Sequence, residues 1–311
     1  MYRRVFPGWL ELILVLVLTF AVGACSRPQA PAGAPQLLFV TLPETRTLAA
    51  FAATASGDSQ PLATIVEAAP DVPVDAGASL RGEVFVANAN ANVKVYAGQH
   101  FKFQLVRSIA GPHTRLANVT AMAVDPSGNI YMTDRGSAPG DARVEWFAAA
   151  LNGNILPGRV ISGPHTGLTS PSGIAIDASD ETFVADHDSG KVLVFSAEAD
   201  GDAAPIFTIA GLKGPQRVLV DADLNLYVTC QGDSSVAVFV PDGPQSWSLN
   251  YRLTSPAMHA PEGVAVDNAG HIAVAVHGAV LFFAAAARSA ATPVLDLQGP
   301  WPMNPTSIMI R

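Results

Sequence analysis

The sequence predicts an all-β fold built from one unit of four short strands that repeats around a ring. Five stretches share one pattern, an apolar run that begins after a polar or proline-containing turn: LANVTAMAVD (116–125), LTSPSGIAID (168–177), LKGPQRVLVD (212–221), MHAPEGVAVD (258–267) and MNPTSIMIR (303–311). Their last residues are spaced by 52, 44, 46 and 44 positions. Several strand-like runs within a repeat of this length indicate a β-propeller.

The unit that begins at Ser172 shows the four strands in order. GIAID forms the inner strand, and Asp177 to Asp180 form a turn whose short polar side chains bond to the local backbone. The runs ETFVAD, KVLVF and PIFTIAG follow as the second, third and fourth strands. They are rich in β-branched and aromatic residues, as strands are. The 26 glycines and 24 prolines of the chain punctuate many short strands rather than long helices.

The number of second strands predicts six blades. Five are clear, namely EVFVAN, NIYMTD, ETFVAD, NLYVTC and HIAVAV. A sixth, Leu37 to Leu42, has no inner strand before it, whereas Thr306 to Arg311 form an inner strand with nothing after it. Pairing these two segments closes the ring without a free edge. Before EVFVAN, Val72 to Asp75 lie where an inner strand belongs, and four extra residues separate them from the second strand.

These motifs resemble the units of NHL-type propellers, which read Pro-x-Gly-Ile-Ala-Val-Asp, a Gly-Asn turn, Tyr-Val-Ala-Asp and Val-x-Val-Phe. The matching positions are Pro171, Gly173 to Asp177, Phe183 to Asp186, Val192 to Phe195, Pro261, Gly263 to Asp267 and Gly128 to Asp134. The resemblance covers roughly residues 36–311. It implies a six-bladed propeller and says little about activity, because its motifs are structural.

The N-terminus predicts export and lipid attachment. A basic start, an apolar core from Leu12 to Val22 and the small residues before Cys25 are typical of a bacterial lipoprotein signal. We therefore expect a signal peptide at 1–24, a lipid on Cys25, and a Pro- and Ala-rich tether that completes 25–35. An uncleaved membrane helix is the alternative, but the apolar run is about half the roughly 20 residues that span a bilayer.

The same segment predicts the location of the protein in the cell envelope. Ser26 follows Cys25, and by resemblance to enterobacterial lipoproteins the absence of Asp there favours the outer membrane. The net charge of −8 and the lack of a basic run argue against a nucleic-acid partner. Membrane attachment is then expected through the lipid. Cys230 is the only other cysteine, so no structural disulfide is expected.

The central opening of the ring is the predicted binding region. In a propeller the inner strand begins, and the second strand ends, on the same face near this opening, where pockets form. Five aligned residues are therefore candidate ligand contacts: Thr120, Ser172, Gln216, Glu262 and Thr306. Asp134 and Asp186 are expected further out, where a short carboxylate caps the turn that follows it.

The sequence favours a site without a metal or cofactor. His113 and His165 both lie in Gly-Pro-His-Thr, which invites a shared metal, but the neighbouring units carry Ala-Gly-Leu and Pro-Ala-Met there. Glu262 is the one carboxylate among the five aligned positions, whereas calcium takes six or more oxygens. The chain also lacks a Gly-x-Ser-x-Gly elbow, a His-Glu-x-x-His motif and a phosphate loop.

The function predicted from these features is that of a lipid-anchored envelope scaffold without catalytic activity, which binds a protein or another envelope component. Two alternatives stay open. One is a hydrolase or lyase that uses the central opening, as lactonase-type propellers do. The other is a binder of a small molecule or glycan at the same place.

Overall fold

The computed structural model describes residues 36–99, 101–299 and 303–311, which form strands, turns and short single-turn 3-10 helices. The expected signal peptide at 1–24, the lipidated Cys25 and the tether up to residue 35 lie outside the described residues. Within the described ranges, no helix is long and apolar enough to cross a membrane.

Six antiparallel sheets of four strands make up the described propeller. The strands, grouped by blade, are as follows: blade 1, β1 (Leu37–Leu42), β2 (Thr47–Ala52), β3 (Ala63–Val66); blade 2, β4 (Pro73–Ala78), β5 (Val84–Asn88), β6 (Asn92–Gln99), β7 (Lys102–Ala110); blade 3, β8 (Val119–Val124), β9 (Ile130–Asp134), β10 (Arg143–Phe147), β11 (Arg159–Ser162); blade 4, β12 (Pro171–Ile176), β13 (Thr182–Asp186), β14 (Lys191–Phe195), β15 (Phe207–Ile209); blade 5, β16 (Pro215–Val220), β17 (Leu226–Cys230), β18 (Ser235–Gly243), β19 (Ser246–Thr254); blade 6, β20 (Val264–Val266), β21 (Ile272–Val276), β22 (Ala279–Phe283), β23 (Leu295–Leu297); and, completing blade 1, β24 (Ser307–Ile310).

The ring closes as the sequence predicts. Strand β24 pairs antiparallel with β1, in a register that runs from Leu38 opposite Ile310 to Thr41 opposite Ser307. Each inner strand contacts the inner strand of the next blade, and β24 contacts both β20 and β4, which completes the circle. The all-β class, the count of six blades and their closure by the two terminal segments are therefore confirmed.

One boundary expectation is wrong. The residues counted as extra before the second strand of blade 2 belong to its inner strand, because β4 runs on from Asp75 to Ala78. The strand is hard to recognise because Ala76, Gly77 and Ala78 are poor strand formers. Blade 3 packs closely against this stretch: a Cβ on Gly77 would lie 2.5 Å from a methyl group of Val124. Close packing against Val124 thus excludes a side chain at Gly77, where blades 3, 4 and 6 carry the small residues Ala123, Ala175 and Ala265.

Apolar clusters fill the six interfaces between neighbouring blades. Between blades 4 and 5, for example, Phe183 and Val194 pack against Leu226 and Val228. Phenylalanines with almost no exposed surface contribute to these interfaces, and burial of each such side chain contributes about 2 to 3 kcal/mol. The ring is therefore held mainly by contacts between blades, so that no blade is stable alone.

Short loops add a second contact between blades. The loops centred on Gly57, Gly153 and Gly201 each lie beside the outer strand of the preceding blade and bond to it like an added strand. The backbone N–H groups of Gly153 and Gly201 donate to the carbonyls of Ser108 and Val160 at 2.7 and 2.8 Å. We call these three loops the latches. They cover part of an outer edge that would otherwise be free to pair with another chain.

Candidate functional site

The two faces of the ring have different chemistry. We call the face where inner strands begin and second strands end the upper face, and the opposite one the lower face. The five candidate residues lie at the upper face, at the start of β8, β12 and β16 or within two residues before β20 and β24. Blade 2 places Val74 at the same position. We call this ring of six positions the mouth.

Three of the mouth residues bond to the neighbouring blade. The hydroxyl of Thr120 donates to the carbonyl of Pro171 at 2.8 Å, and the hydroxyl of Ser172 donates to the carbonyl of Pro215 at 2.9 Å. Thr306 follows the same pattern, since its hydroxyl donates to the carbonyl of Val74 at 3.3 Å. These hydroxyls join the blades around the opening, which explains polar residues at these positions without a ligand.

Glu262 has the most distinctive surroundings at the mouth. Its two carboxylate oxygens accept bonds from two side-chain amides, Gln231 at 2.6 Å and Gln216 at 3.0 Å. Burial raises the pKa of the Glu262 carboxyl, while the positive charge of Arg217 and the two amide bonds oppose the rise. The structure thus brings Gln216 and Glu262 together and adds Gln231, which comes from the turn after β17.

The channel below the mouth is crossed by a charged side chain. Arg217 lies one residue further along β16, and its guanidinium donates to the carbonyl of Ser172 and, at 3.1 Å, to the carbonyl of Val74. Its Nε lies 3.9 Å from a carboxylate oxygen of Asp75. Blades 2 and 5 stand opposite each other in the ring, so Arg217 spans the opening.

Asp75 is bound from three further directions. It accepts bonds from the Ser307 hydroxyl, from the backbone N–H of Met122 at 2.9 Å and from the backbone N–H of Ala76 at 2.8 Å. Only 5% of Asp75 and 8% of Arg217 are exposed. The pair therefore seals the channel and links blade 2 to blade 3, blade 5 and the closing strand.

The neighbouring inner strand passes close to the backbone of β16. Gly173 occupies in β12 the position that Arg217 has in β16, and a Cβ there would lie 2.6 Å from the carbonyl oxygen of Gln216. Sequence reasoning missed Asp75 and Arg217. The signal was present, because a charged residue inside a predicted inner strand needs a buried partner.

The carboxylates further out on the upper face hold the backbone. Asp134 accepts bonds from the N–H groups of Gly136 and Ala117. Asp186 accepts the N–H groups of Ser170 at 2.9 Å and Ser189 at 3.3 Å. As expected, each caps the turn that follows it. Each also binds the segment that enters the inner strand of its own blade, so both carboxylates are occupied.

The repeated Gly-Pro-His-Thr segments have a structural cause. Each forms a 3-10 turn that ends an outer strand. The latch of the next blade caps the turn: the backbone N–H groups of His113 and His165 donate, at 2.7 Å in both cases, to the side chains of Asn154 and Asp202. The two Gly-Pro-His-Thr segments therefore recur because the latches centred on Gly153 and Gly201 bind them in the same way. No three His, Cys, Asp or Glu side chains of the described residues are grouped as a metal site.

A buried acidic pair lies between blades 2 and 3. Glu145 and Asp134 have no exposed surface, and Arg143 binds both, with its Nε 2.5 Å from Glu145. The second carboxylate oxygen of Glu145 has no hydrogen-bond partner. Burial, and then the charge of Asp134, raise the pKa of Glu145 to about 8 despite the bond from Arg143. Glu145 therefore holds its proton more tightly in the folded protein than in the unfolded chain.

This shift predicts a pH-dependent stability. An acid whose pKa rises on folding, here from 4.5 to about 8, binds its proton more tightly in the folded state. Its contribution to stability is therefore full below pH 4.5 and falls, on the order of 1 kcal/mol per pH unit, as the pH rises to about 8. Gln resembles the protonated acid. We therefore expect Glu145→Gln to have the same melting temperature as the parent at pH 5 and a higher melting temperature than the parent at pH 8. Equal melting temperatures at pH 8 would refute the assignment.

Comparison with known proteins supports the fold. No known family's sequence profile and no curated protein sequence matches the chain. The periplasmic gluconolactonase of Pseudomonas aeruginosa superposes with a TM-score of 0.65 at 13% identity, over 88% of this chain and 98% of its own. A Bacteroides caccae protein of unknown function gives 0.65 at 11% identity, over 89% and 98%. The virginiamycin B lyase of Staphylococcus aureus gives 0.52 at 12%, over 76% and 73%. At these identities the likeness shows a shared fold.

Proposed function

We propose that this protein is a lipid-anchored propeller of the bacterial cell envelope that binds a protein or another envelope component and catalyses no reaction. The observation that carries the proposal is the sealed channel. Arg217 and Asp75 close it directly below the mouth, and the hydroxyls of Thr120, Ser172 and Thr306 already bond to neighbouring blades. A mouth closed from below gives a small substrate no channel to enter, so the upper face suits contact with a partner's surface better.

We further assign the ring to the NHL-type propellers and the chain to the outer membrane through a lipid on Cys25. The repeat motifs support the first assignment, and the apolar segment that ends in Val-Gly-Ala-Cys supports the second. The fold shared with a periplasmic protein agrees with a position in the envelope.

A small-molecule function at the mouth is the second candidate. Glu262 favours it, because a half-buried carboxylate with a raised pKa can act as a general acid or base. The fold shared with a gluconolactonase and a virginiamycin B lyase also agrees with it. In this reading Gln216 and Gln231 orient Glu262 toward a ligand, and Arg217 forms the floor beneath it.

The substitution Glu262→Gln separates the two candidates. Gln keeps the shape of the side chain and removes its charge and basicity. For a scaffold, we expect the variant to melt like the parent and to retain the same cross-linked envelope partner, and we expect neither protein to open gluconolactone or cleave virginiamycin B. Glu181→Gln makes the same change on the lower face and serves as the control. Turnover by the parent that Glu262→Gln abolishes, at an unchanged melting temperature, would move the function to the mouth.

A further inference from the structure

Both ends of the described propeller lie at the lower face. The backbone N–H of Leu37 donates to the carbonyl of Arg311 at 2.6 Å, where β1 begins and β24 has just ended. The side chain of Gln36 accepts a bond from the backbone N–H of Asn268, in the lower turn between β20 and β21. The chain that leads back to Cys25 therefore leaves the ring on the side opposite the mouth.

Exposed aliphatic side chains collect toward the same face. Every blade places at least one in the lower half of its outer strand or in the loop leading into it, and we take one from each: Leu62, Leu105, Leu156, Ile206, Leu249 and Val294, whose exposed fractions range from 39 to 61%. Val106 and Leu295 are exposed beside two of them. We call these six residues the skirt. Leu80 and Phe101, in lower turns of blade 2, are exposed as well. Among the exposed large apolar residues of the described ranges, Val66 is the one at an upper strand end.

The repeat fixes the backbone position of three skirt residues. Leu62, Ile206 and Val294 each follow a proline, and the backbone N–H of each donates to the third strand of its own blade. These bonds fix the backbone, so that the fold would accept a polar side chain at any of the three positions. An exposed aliphatic residue in the lower part of every blade favours an apolar partner that meets all six blades at once.

Four aspartates lie near the centre of the lower face, where the guanidinium of Arg311 also lies and donates to the carbonyl of Ala78. Asp125, Asp177, Asp221 and Asp267 each stand in the turn after an inner strand and accept backbone N–H groups two and four residues later. Their charge disfavours contact with anionic lipid headgroups. An apolar rim around a polar centre matches the boundary between headgroups and acyl chains of a zwitterionic bilayer.

We propose that the lower face lies on a lipid surface, with the skirt at the acyl boundary and the mouth directed away from the membrane. This inference rests on the proposed lipid anchor at Cys25. The chain from Cys25 to Gln36 reaches at most about 40 Å, at 3.6 Å per residue. Because that chain joins the ring at the lower face, the anchor and the skirt act on the same side.

The test places one fluorophore on each face of the full-length lipidated protein. Ser179→Cys labels the lower face, and Lys213→Cys labels the upper face; both positions are exposed, while the native Cys230 is buried. The protein is incorporated into phosphatidylethanolamine–phosphatidylcholine vesicles that contain a brominated lipid as quencher. We expect the lower label to be quenched at least about twofold more than the upper label. Equal quenching of the two labels would overturn the proposal.

Skirt variants test the surface itself. Leu156→Ser, Ile206→Ser and Val294→Ser are combined, and Val66→Ser is the control at the upper face. The triple variant should lose most of the lower-label quenching while it still floats with the vesicles, and the control should lose none. An unaffected triple variant would refute the role of the skirt. The molecular mass of the parent and of the triple variant is measured as well. A dimeric parent and a monomeric triple variant that has lost the quenching would assign the skirt to self-association instead.

The proposed lipid anchor at Cys25 and the proposed lipid-facing lower surface can be refuted independently. A parent protein that carries no lipid and does not float after incorporation refutes the anchor at Cys25. The same labelled protein is then mixed with preformed zwitterionic vesicles. Weak binding that depends on the skirt and not on Val66 would still support the lipid-facing surface, whereas absence of binding would overturn it.

Discussion

Deletion of residues 306–311 is expected to unfold most of the protein at room temperature. The deletion removes β24, which leaves β1 as an unpaired edge and opens the interface between blades 6 and 1. It also removes Ile308 from that core and Ser307 from the Asp75 carboxylate. Loss of a core strand costs at least about 5 kcal/mol, which is the lower limit of the stability of many domains.

Thermal melting and light scattering test this expectation. The truncated protein should melt at a much lower temperature and aggregate, because the exposed edge can pair with a second copy. The control is Thr306→Val, which keeps β24 and removes one hydroxyl bond, and which should cost no more than about 1 kcal/mol. A truncated chain that melts like the control would show that the ring does not depend on this strand.

Replacement of Arg217 by Met is expected to be the most damaging single substitution in the mouth or in the channel below it. Met fills the channel but leaves Asp75 without its cation and the carbonyls of Val74 and Ser172 without their donor. Breaking one side of a buried ion pair costs roughly 3 to 5 kcal/mol. Urea unfolding of Arg217→Met should show a loss of this size, with an unchanged dependence on urea concentration.

A double-mutant cycle assigns the loss to the pair. Asp75→Asn should also destabilise the ring, and the combination with Arg217→Met should cost clearly less than the two losses together, since neither charge is then left alone. Arg135→Met removes another arginine of the upper face, whose bond to the Pro171 carbonyl is 3.3 Å long, and should cost much less. Additive losses in the cycle would show that Arg217 and Asp75 do not stabilise the ring through their interaction with each other.

Much of the fold could be predicted from the sequence because it depends on repeated local patterns. The turn at Asp177, the strand from Thr182 to Asp186 and the closing segment at Ser307 follow from alternation, turn chemistry and period. Blade 2 is the exception. There the close approach of Val124 selects Gly77 and its small neighbours, and a contact between blades leaves no trace in local strand propensity.

The site was harder to predict from the sequence, because its hydrogen bonds join residues that are distant in the chain. Arg217 meets Val74 across 143 positions, and Ser307 meets Asp75 across 232. The repeat alignment correctly places the mouth positions at one end of the inner strands. It cannot show that the hydroxyls of Thr120 and Ser172 donate to the next blade, or that Gln231 binds Glu262 from a turn.

The closing strand also sets the order of events when the chain is synthesised. Strand β1 is synthesised before the other described strands, and its partner β24 is synthesised after all of them. A growing chain can pair strands within blades 2 to 6, but blade 1 must wait with one edge open until residue 310 has appeared. Completion of the ring is therefore a late step that brings together the two most distant parts of the propeller, and such long-range closure is slow. That delay leaves the edge of β1 without its native partner for the whole of synthesis, and an unpaired edge is the part of a sheet that can pair with another chain.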